Sequence, residues 1–186
     1  MSVKDFVQQR RDDFISLRRD FHMYPEPAWL EYRSAAKVAE KLIALGYDVA
    51  LGAEVLDLDS RMGLPSEEVM KAAMARAMDE GADPELVEKM GYGKTAIVAT
   101  MKFSDDGPVV AFRADMDSND VIESKASNHI PVKTGFRSRH DKAMHACGHD
   151  THMTMGLGLA EYIATHKDGL KGTIKLIFQP AEEGVR

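Results

Sequence analysis

Short apolar runs alternate with stretches of helical period along this chain, and that alternation constrains its fold more than any other feature. Residues 96–101, 109–112 and 172–178 are too short for helices and rich in branched and aromatic side chains, and Gln179-Pro180 closes the last of them. Such runs predict buried strands. The turn-rich Ser104-Asp105-Asp106-Gly107-Pro108 between the first two predicts a hairpin. Helical spacing marks residues 3–23, where Phe6, Arg10, Phe14, Leu17 and Phe21 recur before Tyr24-Pro25-Glu26-Pro27 stops the pattern. It also marks residues 34–45, closed by Gly46, and residues 152–166. Residues 47–51 read as a further short strand. In the charged, Met-rich stretch 57–93, Ser66-Glu67-Glu68 opens a helix with Val69, Met70, Ala73, Met74 and Ala77 on its apolar side. Residues 119–142 have no period and predict a long loop, of the kind that usually lines a site. Helices and strands in alternation make this an α/β domain.

Composition narrows the function classes. Of 186 residues, 24 are basic and 30 acidic, a net charge of −6, which argues against a nucleic-acid or acidic-lipid surface. The single cysteine forms no internal disulfide, and no leader-like or membrane-spanning apolar run is visible. A cytoplasmic setting without membrane or nucleic-acid partners is the expectation.

Three clusters carry chemistry. Arg113-Ala-Asp115-Met-Asp117 follows a strand, where open α/β sheets place ligands, and its aspartates share a face if the strand continues. Turn-forming aspartates are the bland alternative. His145-Ala-Cys147-Gly148-His149-Asp150-Thr-His152 gathers three imidazoles, the thiol and a carboxylate into eight residues, a donor set for a divalent metal. Gly148 permits a tight bend, and Asp150 is placed to orient an imidazole. A Cys147 nucleophile is the rival reading, although Cys–His catalysis needs fewer histidines. Gln179-Pro-Ala-Glu182-Glu183-Gly184 ends another strand with two adjacent acids, which raise one another's pKa unless a cation compensates. One then ligates while its neighbour takes a proton from water.

In order and spacing these segments resemble the signatures of the dinuclear metallopeptidases, in the amidohydrolase branch that includes hippurate hydrolases, aminoacylases and auxin-conjugate hydrolases. Arg18-Arg19-Asp20-Phe21-His22 with Pro25-Glu26 is similar to that family's N-terminal helix and turn. Ser60-Arg-Met-Gly-Leu-Pro65 and the helical stretch after it resemble, more narrowly, the A-type chains of aminobenzoyl-glutamate hydrolases. The resemblance implies an α/β fold, the N-terminal part of a metallopeptidase-type catalytic domain over residues 1–186, with a mixed sheet flanked by helices and a helical insertion at about 60–92. It implies Cys147, His149 and Glu183 as metal ligands, Glu182 as general base and Asp115 as support behind a ligand, with Arg113 where distant relatives carry histidine. For His152 it implies no ligand role, so packing within its helix is expected. Two divalent ions per complete site, manganese or zinc, follow from it, as does a small acyl- or aryl-amino acid substrate, aminobenzoyl-glutamate first. A paralogous B subunit or a second copy is the implied partner. Family members are much longer, so a lid and dimerisation domain and further ligands are expected beyond residue 186, and weak or no activity from these residues alone. A non-catalytic, metal-binding or partner-associating fragment is the alternative.

Overall fold

A computed structural model describes residues 1–184. Eleven elements follow in chain order: α1 (Val3–Gln9), α2 (Arg11–Met23), α3 (Tyr32–Ala44), β1 (Asp48–Leu51), α4 (Glu67–Asp79), α5 (Pro84–Lys89), β2 (Ile97–Lys102), β3 (Val109–Asp115), α6 (Ile130–Lys133), α7 (His149–Thr165) and β4 (Thr173–Gln179). The sheet has the order β1-β2-β4-β3 and is mixed: β1 with β2 and β2 with β4 are antiparallel, β3 with β4 parallel. Helices α2, α3 and α7 pack with it around a core that includes Phe21, Tyr32, Leu42, Ile97, Met153, Leu176 and Phe178. Gly156 lets α7 lie close on the sheet, since a Cβ there would stand 2.9 Å from the Phe178 ring. No helix among the described residues is long and apolar enough to cross a membrane.

The predicted strands form, but the hairpin does not. Strand β4 lies between β2 and β3. The ends of the 104–108 turn bond to the start of β4 and not to each other: the Phe103 amide donates to the Gly172 carbonyl (2.9 Å) and the Thr173 amide to that of Pro108 (3.0 Å). The single helix expected over 3–23 is divided at Arg10. The break seats Phe6 edge-on against Tyr162, ring centroids 5.3 Å apart, and leaves Phe14 under Gly158. Ser66 caps α4 as expected, its hydroxyl accepting from the Val69 amide (3.3 Å), yet Val69 itself is exposed while Met70, Ala73 and Ala77 are buried. Stretch 119–142 contains the short α6, and α7 begins at His149 rather than at 152.

Topology decides where the chemistry collects. Because β3 and β4 run parallel, with Asp115 opposite Gln179, both strands deliver their following residues to the same end of the sheet. The crossover helix α7 runs back between them, so its N-terminus stands at that same end.

Candidate metal centre

The three sequence clusters meet there. Donor atoms of Cys147, His149 and Glu183 lie within 4.8 Å of one another. His149 is buried, and its Nδ1 lies 2.8 Å from the Asp117 carbonyl oxygen; a carbonyl only accepts, so Nδ1 carries the proton. Its Nε2 is thereby left with a lone pair facing Glu182 Oε2 at 3.7 Å and Glu183 Oε1 at 3.9 Å. The Glu183 amide donates to Asp117 Oδ2 (2.8 Å), so one aspartate fixes both the imidazole and the glutamate loop. The Ala146 and Cys147 amides donate to Asn119 Oδ1 (3.2 and 3.0 Å), which anchors the cysteine loop.

Asp115 lies on the flank of this group. It pairs with Arg113 and sits 3.3 Å from His152 Nδ1. His152 does not pack into the helix interior as expected: with α7 starting at His149, the two histidines are one turn apart on one face, and their rings stack at 5.1 Å. Asp115, His149 and His152 also bring donor atoms within 4.8 Å of one another. Asp150 does orient an imidazole, that of His22 (2.7 Å), and it also pairs with Arg18 (3.0 Å).

The electrostatics bear on whether a cation fits. Asp115, Asp117, Glu182 and Glu183 crowd around one thiol and one imidazole. The exposed Cys147 thiol is pushed above its usual range, first by its hydrogen bond to Glu183, then by slight desolvation and the nearby carboxylates. Burial favours neutral His149, yet the Asp117 carboxylate and carbonyl outweigh it and raise the imidazole's pKa. Asp117 Oδ1 is buried without a hydrogen bond. Surplus negative charge around soft and imidazole donors is what a divalent cation offsets, so these residues suit one.

Gly148 precedes α7 with φ at +113°, a conformation that L side chains rarely adopt. Gly148→Ala meets no atom within 4 Å, so backbone strain alone acts. It is expected to lower stability by about 1–3 kcal/mol and to weaken metal retention by displacing Cys147 from His149. Urea denaturation and metal titration of the variant check both effects.

Sequence reasoning singled out Cys147, His149, Glu182 and Glu183, and the structure brings these four together. The same reasoning noted Asp117 only as the partner of Asp115 and missed Asn119, His22, Glu123 and Glu31. His22 Nε2 approaches Glu123 at 3.1 Å, and Glu123 also accepts from the Ser138 amide (2.5 Å) and contacts His129 (2.8 Å). A signal for Asp117 existed in its alternate spacing with Asp115. The carboxylate of Glu31 meets the glutamate loop 150 residues away in the chain, and no local pattern announces it.

Comparison with known proteins agrees with this geometry. Peptidase family M20/M25/M40 matches residues 111–186. The chain is 46% identical over 184 residues to the indole-3-acetyl-aspartic acid hydrolase of Enterobacter agglomerans, covering 99% of this chain and 42% of that protein. It is 47% identical over 185 residues to the A-type chain of the p-aminobenzoyl-glutamate hydrolase of Escherichia coli, covering 100% and 42%. The crystal structure of an aminobenzoyl-glutamate utilization protein from Klebsiella pneumoniae superposes with a TM-score of 0.81 at 39% identity, covering all of this chain and 40% of that one. The chain thus spans about two-fifths of the length of the curated relatives it matches. With this mixed sheet and these three converging segments, residues 111–186 are similar to peptidase family M20/M25/M40.

Proposed function

We propose that this chain carries the nucleophile-activating part of a metal-dependent hydrolase that cleaves the amide between an acyl or aryl group and an amino acid, with aminobenzoyl-glutamate as first substrate. The observation that carries the reading is the meeting of Cys147, His149 and Glu183, with Glu182 facing the same imidazole. Cys147, His149 and Glu183 would hold a divalent cation, manganese or zinc, in a site that is complete with two ions. When bound, the metal supplies Lewis acidity toward the amide carbonyl and makes water easier to deprotonate. Glu182 takes the proton of the attacking water on a carboxylate oxygen and returns it to the amide nitrogen as the amine leaves. Its side chain is 42% exposed, which leaves the carboxylate accessible to substrate and solvent. Asp117 keeps the His149 proton on Nδ1, and Asp115 with His152 braces the outer face of that ring.

On this reading residues 1–186 are the N-terminal part of the catalytic domain, residues 60–92 are a helical insertion, and the lid and dimerisation domain lies outside them. The reading includes a cytoplasmic setting, with a paralogous B subunit or second copy as partner. Elemental analysis of the purified chain, with a panel of acyl- and aryl-amino acids offered to a protein of the relatives' full length, tests it. Bound divalent metal and turnover that a chelator abolishes are expected. Stoichiometric metal with no hydrolysis of any panel member would favour a binding fragment instead.

A further inference from the structure

We propose that Glu31 is a positioning residue that holds the loop carrying Glu182 and Glu183 in register with Cys147 and His149; this rests on the roles given to those residues above. Glu31 occupies the N-cap of α3, where an acidic side chain normally accepts from the first helical amides, yet it makes no such bond. Glu26 does that work instead, accepting from the Arg33 and Ser34 amides at 2.9 and 2.7 Å. The carboxylate of Glu31 turns away from its helix. Its Oε1 accepts from the Ala181 amide (2.8 Å) and the Trp29 amide (3.0 Å), and its Oε2 from the Thr95 hydroxyl (2.7 Å).

These bonds fall where the backbone most needs support. Trp29 and Ala181 both have positive φ, 65° and 55°, in the region unfavourable to side chains with a Cβ. A single carboxylate oxygen therefore ties down two left-handed residues, and Ala181 directly precedes Glu182. The turn at Ala181 also brings the Glu183 amide to Asp117 Oδ2. Glu31 is completely buried, and no cation pairs with it among the described residues. A carboxyl group so placed is costly unless its hydrogen bonds are needed. Burial, with the charge of Asp117 adding to it, pushes its pKa up to about 8.

Amide hydrogen exchange at Ala181 and Zn²⁺ titration of the purified chain test the proposal. Glu31→Ala is expected to speed Ala181 exchange about tenfold, as loss of one hydrogen bond implies, and to weaken Zn²⁺ binding about 10- to 100-fold, as for loss of an outer partner of a ligand. Glu31→Gln keeps an oxygen for both amides and should restore parental exchange and Zn²⁺ affinity. Should Glu31→Ala not fold, Glu31→Asp serves: it is one methylene shorter, stays beside Trp29, and cannot span to Ala181. Parental exchange at Ala181 in the folded Ala or Asp variant overturns the proposal, as does failure of Gln to restore it. If the parent chain binds no Zn²⁺, the metal reading of Cys147, His149 and Glu183 falls, while the exchange measurements still decide on Glu31.

Discussion

Glu182→Gln, made in a protein of the relatives' full length, is expected to lower kcat by about 10²- to 10⁴-fold, the range for loss of a general base, and to leave divalent metal content at the parental level. The geometry separates these two readouts. Glu182 faces His149 Nε2 from 3.7 Å but lies outside the group of Cys147, His149 and Glu183 donors. Glutamine keeps the size and cannot accept the water's proton. Because the substitution removes a step and not substrate binding, KM should move little while kcat falls. A kcat within a few fold of the parent, with metal content unchanged, would remove Glu182 from the role of base.

His149→Ala should abolish stoichiometric metal retention. Loss of the ligand itself is expected to exceed the roughly 10- to 100-fold weakening that follows from removing a partner behind a ligand, and Asp117→Ala supplies that smaller effect for comparison. The Asp117 carboxylate accepts from the Glu183 amide and lies 3.3 Å from His149 Nδ1, so its removal frees the glutamate loop and takes a charge from beside the imidazole, while the backbone carbonyl that holds Nδ1 stays and neither ligand is deleted. Isothermal titration of both variants with Zn²⁺ gives the ranking, and equal affinities for His149→Ala and parent would sink the proposed ligand set. The same titration addresses the thiol-nucleophile alternative. Carboxylates around Cys147 hold its thiol above the usual range, which disfavours a free thiolate. A thiol enzyme would survive chelation and lose activity on alkylation; the metal reading expects chelation to abolish it.

Much of the site was legible in the sequence because its residues lie in short runs at the ends of apolar segments. A strand that terminates in Arg113-Ala-Asp-Met-Asp117 or Gln179-Pro-Ala-Glu-Glu183 announces itself by the abrupt change from buried to charged residues. The cysteine–histidine cluster needs only its own spacing. His152 is different, because periodicity starts its helix three residues late, and a shift of that size decides whether a side chain shares a face with His149. The hairpin fails for another reason. Adjacent strands with a turn between them usually pair, and only the docking of β4 between β2 and β3 shows that they do not.

Local sequence, then, determined the helical and strand segments and the identity of the chemical groups, because periodicity, turn residues and donor types act over a few residues. Tertiary structure alone decided that β3 and β4 run parallel, that α7 brings its N-terminus to their shared end, and that carboxylates from a distant loop support the site. Those outcomes depend on contacts between residues far apart in the chain, such as Glu31 with Ala181 and Asp117 with His149. Their partners are chosen by how whole elements pack and by the need to satisfy buried polar groups, and neither is written in any single stretch of sequence.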